Sequence, residues 1–157
     1  MNMEESVMNS EFPALVRKNF DFLFDKFGFS IKSEKYTDYP LSEWVILLTS
    51  KNLYFQVSID KGLINVSLGI PGRNERPIDL MFVLMYATKN LEWNYIWPGG
   101  QVNEQYYDKQ LQHVARALSE NFEKIRSTVQ EITKSKKEKK HFDKFVREYF
   151  QKNLLGF

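Results

Sequence analysis

A chain of 157 residues with 43% hydrophobic content is long enough to bury one sizeable core, and a single domain spanning 1–157 is expected. The net charge of +2 divides into ten basic against twelve acidic residues in 1–100 and twelve against eight after that. That falls short of the dense basic stripe of a dedicated nucleic-acid binder, so nucleic acid is not the expected partner. Zero cysteines exclude disulfides, thiolate metal sites and cysteine nucleophiles.

Residues 1–10 are polar and expected to fray. Glu4 and Glu5 stand where a secretory signal would carry positive charge, and no apolar run reaches membrane-spanning length. A soluble, cytoplasmic protein follows as the expectation. Ser10 is a fitting N-cap, followed by Glu11 and an early proline. Phe12, Leu15, Val16, Phe20, Leu23, Phe24 and Phe27 then recur at helical spacing, a stripe wide enough to lie on a sheet. Gly28 should end this helix, since glycine takes the left-handed conformation at little cost.

Residues 29–38 alternate as a first strand, with Phe29, Ile31, Ser33 and Lys35 on one face, and Tyr39-Pro40 breaks it. The run Trp44–Thr49, WVILLT, is apolar at both parities and predicts the most buried strand. From Leu53 to Ile70 the chain reads as a β-hairpin. Leu53, Phe55, Val57 and Ile59 share a greasy face, continued after an Asp60-Lys61-Gly62 turn by Ile64, Val66, Leu68 and Ile70. The opposite face carries Tyr54, Gln56, Ser58, Asn65 and Ser67. About four antiparallel strands are predicted, with an N-terminal helix and a helical C-terminal half packed on one face.

Residues 71–77, PGRNERP, form a loop. Residues 78–89 favour a short helix through Leu80, Met81, Leu84 and Met85, and 91–100 is a loop holding Trp93, Tyr95 and Trp97. From Asn103 a long helix is predicted, with Leu111, Ala115, Leu118, Phe122, Ile125, Val129 and Ile132 stepping by four and three. About 30 helical residues extend roughly 45 Å, longer than the strands. The 104–133 helix is therefore a candidate for pairing with a second copy, unless a last helix over 142–152 folds back onto the seam. Five lysines between 134 and 140 read as a hinge before that last helix, or as a phosphate grip together with Arg126.

No motif states a reaction or a cofactor. His113 and His141 lack partners at zinc-motif spacing, and Glu34, Asp38 and Glu43 read as a solvated turn rather than an acid–base pair. The glycines form no phosphate loop, and no serine sits in a nucleophile elbow. The candidate partner-binding residues are Tyr54, Gln56 and Asn65 on the wet hairpin face, where aromatic, amide and hydroxyl groups suit protein contacts. Trp93, Tyr95 and Trp97 join them, as a second patch or as a lid on the core.

A helix ending in Phe27-Gly28-Phe29, antiparallel strands including Leu53–Asp60, and a helical C-terminal half together resemble small uncharacterised bacterial proteins, some of which are immunity partners encoded beside toxins. The resemblance covers about residues 12–70 and rests on layout. It implies a non-enzymatic role in which another protein, a cognate toxin, is the partner. Contact residues vary within such families, so it implies no site residues.

Overall fold

The computed structural model describes residues 3–38, 43–60, 62–93 and 103–153. In chain order these form α1 (Met3–Asn19), α2 (Asp21–Phe27), β1 (Ser30–Thr37), β2 (Glu43–Thr49), β3 (Tyr54–Asp60), β4 (Leu63–Gly69), β5 (Ile78–Asp79), α3 (Leu80–Thr88), α4 (Glu104–Lys134) and α5 (Lys136–Asn153). The fold is α+β, with the strands in one antiparallel sheet of order β1-β2-β3-β4-β5. The Tyr39-Pro40 break, Lys61 of the predicted turn, and Tyr95 and Trp97 with the Pro98-Gly99-Gly100 stop lie outside the described residues. No helix among the described residues is long and apolar enough to cross a membrane.

Alternation along the strands builds the core in rungs. Trp44, Ile59 and Ile64 make one, Ile46, Val57 and Val66 the next, and Leu48, Phe55 and Leu68 the third. All nine are buried, as side chains on one face of a pleated sheet must be when a helical layer covers it. The hairpin reads as expected, and Gly62, at φ 79, supplies the left-handed backbone that its tight turn requires.

The covering layer departs from prediction at its start. Helix α1 begins at Met3, well before Ser10, and breaks after Asn19. Asn19 Nδ2 donates both to the Leu15 carbonyl and to Asp108 Oδ1, each at 2.9 Å. A side chain that competes for backbone acceptors and anchors to another helix favours such a break. The predicted stripe survives it: Phe12, Leu15, Val16, Phe20 and Leu23 are all buried. Gly28, at φ 70, ends α2 as expected, and Phe29 N–H donates back to the Leu23 carbonyl at 3.0 Å.

Two strand expectations need correction. A β-bulge between Ile31 and Ser33 shifts the β1–β2 register, so Glu34 and Tyr36 pair with Ile46 and Trp44, while Ser33 and Lys35 pair with Leu47 and Val45. One extra residue moves every later side chain to the other face, which splits Ile31 from Ser33 and Lys35. Glu34 thereby reaches Arg17 of α1 at 3.4 Å. Strand β2 is not apolar-buried on both sides. Trp44, Ile46 and Leu48 are buried, but Val45 and Leu47 are half-buried on the face away from the core.

In α4 the seam is fully used. Leu111, Ala115, Leu118, Phe122, Ile125, Val129 and Ile132 are all buried, facing α1, α3, β4 and α5. The side chain of Asn103 caps the helix by accepting from Tyr106 N–H at 3.0 Å. Midway the backbone leaves helical values at Asn121, whose Nδ2 donates to the Ala117 carbonyl at 2.9 Å. That kink divides the long helix into two segments. Phe122 stacks on Phe27 with ring centroids 3.8 Å apart. The seam residues that argued for pairing with a second copy are buried within the chain itself.

The predicted lysine hinge narrows to one residue. Ser135 is extended, its hydroxyl accepts from Glu138 N–H at 3.2 Å, and α5 starts at Lys136. Helix α5 packs on α4 and, through aromatics, on α3. Tyr86 meets Phe142 and Phe145, each at 5.4 Å, and Phe82 meets Tyr149 at 5.5 Å and Phe150 at 5.3 Å. Gln110 is the buried polar residue of the described core. Its Oε1 accepts from Ile64 N–H at 3.2 Å, capping a β4 edge amide beyond the reach of the two-residue β5.

Candidate functional site

The described helices lie on one face, the opposite face of the sheet is open among the described residues, and the register arranges it in rows. Lys35, Val45, Ser58 and Asn65 form one row. Ser33, Leu47, Gln56, Ser67 and Asp79 form the next, and Thr49, Tyr54 and Gly69 the third. Val45, Leu47, Tyr54, Gln56, Ser58, Asn65 and Ser67 are all half-buried. Val45 and Leu47 on β2 and Tyr54 at the end of β3 give this face its apolar and aromatic surface, Gln56 at its middle and Ser58, Asn65 and Ser67 beside it give amides and hydroxyls, and formal charge lies at the margins on Lys35, Glu43 and Asp79.

Tyr54 is held by its neighbours. Its ring lies over Gly69, where a side chain would collide with it. Partial burial, and to a lesser degree the negative charge of Glu75, push the phenol above its ordinary value, so it stays a neutral donor and acceptor.

The six residues singled out from sequence separate here. Tyr54, Gln56 and Asn65 come together on the open face. Trp93 packs instead against the core on the helical side, its ring 6.2 Å from that of His113 on α4. Tyr95 and Trp97 lie outside the described residues. Val45 and Leu47 are the members that sequence reasoning missed. Their signal was present in WVILLT, but an apolar run at both parities reads as burial on both faces when nothing marks one face as uncovered.

The other candidate groups disperse. His141 is exposed, 3.9 Å from Glu138. Glu34 is paired with Arg17 on the helical side, while Glu43 pairs across the sheet with Thr37. Among the described residues no group of three or more His, Asp or Glu could hold a metal ion. The lysine run is not one patch either: Lys134 turns toward Arg73 and Lys51, while Lys139 bonds Asp143 at 2.7 Å beside Phe142 and Arg147. No family model, curated protein or solved structure matches this chain.

Proposed function

We propose that the chain is a non-enzymatic protein-binding module that seats its partner on the open sheet face. The observation that carries this reading is that Val45, Leu47 and Tyr54 stand half-buried on the same face as Gln56, Ser58, Asn65 and Ser67, with formal charge confined to its margins. Interface centres are poor in charge and rich in aromatics. Tyrosine brings area at low entropic cost, while Asn and Ser adapt their hydrogen bonds to the partner.

Size refines the reading. Seven-residue strands by four strands cover roughly 400 Å², against about 800 Å² per partner in a stable complex. The partner must therefore continue past the face, over a sheet edge or the loops beside it.

The partner class we assign is a bacterial toxin, held inactive in the cytoplasm as by an immunity-type inhibitor. Its support is the layout resemblance over residues 12–70 together with a cysteine-free sequence. Coexpression tests it. The chain should restore growth to cells expressing the toxic product of an adjacent gene, and Leu47→Lys should abolish protection while the protein stays folded. Failure to protect against any neighbouring product rejects the toxin assignment.

A further inference from the structure

We infer that the end of the sheet carries a phosphate-binding groove, distinct from the open face and independent of the reading above. Two adjoining grooves, about 160 and 200 Å³ in volume, share Lys51 and Asn52 as a common wall. Arg73 and Lys134 line the first and Arg126 the second, and no carboxylate among the described residues lines either.

The cations come from three places, and each is fixed for a local reason. Lys51 sits in the β2–β3 turn, which is closed by Ser50 N–H and Ser50 Oγ donating to the Leu53 carbonyl at 2.8 and 3.1 Å. Arg73 follows a turn made possible by Gly72 at φ 81. Arg126 and Lys134, with Gln130 and Thr133, have the i, i+4, i+7, i+8 spacing of one helix face. That stripe adjoins the buried Ile125, Val129 and Ile132, so packing of the seam points it at the Lys51 turn.

Three like charges around the first groove and two around the second, with Lys51 shared, repel one another, and an anion relieves that repulsion. In a chain of net charge +2 such a gathering is not explained by composition. Arg73 is 3.7 Å from Glu75, and Arg126 is ion-paired with Glu123, but both glutamates are more than half exposed. Exposed pairs of this kind are weak and exchangeable. Lys51 and Lys134 hold no ion pair among the described residues.

The lining selects phosphate chemistry. Guanidinium forks and ammonium groups offer donors only, and Asn52 and Thr133 add neutral donors beside them. A phosphate monoester brings three strong acceptor oxygens and about −1.5 to −2 charge, enough to engage several of the four cations at once.

The test is an amide-shift titration of the isotopically labelled full chain at low salt, with inorganic phosphate, a mononucleotide, a thymidine oligonucleotide and a glutamate-rich peptide as separate probes. Saturable shifts at Lys51, Asn52, Thr133 and Lys134, weakening as salt rises, are expected with at least one phosphate probe. Saturation by inorganic phosphate assigns a free-phosphate site. Saturation only by the mononucleotide or only by the oligonucleotide assigns the ester or the strand as the source. Lys51→Gln with Lys134→Gln should weaken binding at least tenfold, and Lys144→Gln on α5 should not. The wild-type shift map carries the test even where a variant fails to fold. No saturable shift with any phosphate probe, equal weakening by Lys144→Gln, or saturation by the acidic peptide alone would overturn the inference.

Discussion

The ring of Tyr54 lies across Gly69, its partner on β4, so closely that a Cβ on Gly69 would stand 2.6 Å from the Tyr54 hydroxyl oxygen. Gly69 has no positive φ to explain it. The glycine is there to make room for the tyrosine, and the tyrosine covers the backbone that the glycine leaves bare.

That relationship predicts coupling. In a Tyr54→Ala background, Gly69→Ala should stabilise the protein by about 0.5–1 kcal/mol, because a strand glycine costs roughly that much relative to alanine. With Tyr54 present the new methyl must displace the ring, at about 0.5–1.5 kcal/mol, so the gain should vanish or reverse. Denaturant unfolding of the four proteins measures it, and strictly additive effects would mean that the ring does not rest on Gly69.

The two faces of β3 should respond in opposite ways. Phe55 is buried, in contact with Phe29 at a centroid distance of 5.5 Å, and Phe55→Ala should cost about 3–5 kcal/mol. Gln56→Ala on the open face should change stability by no more than about 0.5 kcal/mol. Equal losses for the two would reverse the assignment of faces.

Asp108 ties α4 to the end of α1. Burial pushes its carboxyl up, but the Asn19 hydrogen bond, the Lys18 charge at 3.4 Å and the Gln112 hydrogen bond together outweigh it and hold it below its ordinary value of 3.8. A carboxyl lowered on folding contributes stability that is fully present above pH 3.8 and lost as pH falls through the lowered value. Asp108→Asn should therefore destabilise at pH 7 by about 1–2 kcal/mol and flatten the acid limb of stability against pH. An unchanged acid limb would remove Asp108 from that role.

Leu118 is buried in the α4 seam, and Leu118→Glu should unfold the chain, since an unpaired buried carboxylate costs several kcal/mol. Circular dichroism checks it. A variant that stayed folded while an oligomer fell apart would return the seam to an intermolecular interface.

The core was legible in the sequence wherever a short period carried it. Phe55, Val57, Val66 and Leu68 follow a period of two, and Leu111 to Ile132 follow fours and threes, because side-chain direction is local geometry. Events that need a second element were not legible. The bulge after Ile31 depends on pairing with Leu48 and Leu47, and the break at Asn19 depends on Asp108, which is distant in sequence. The same holds for the sites. Tyr54, Gln56 and Asn65 could be put on one face by counting, but Val45 and Leu47 became part of it only when all the described helices were found on the other side. Lys51, Arg73, Arg126 and Lys134 meet only through the tertiary fold.

Affinity capture from the source cells, with the bound protein quantified by mass spectrometry, tests most directly whether the open face is where a partner seats. The wild-type chain should retain one protein in stoichiometric amount, and that protein should be lost with Leu47→Lys and with Gln56→Arg but kept with Lys144→Glu on α5, all variants melting as cooperatively as the wild type. A wild-type chain that retains nothing, or a partner held equally by the open-face variants, would contradict it.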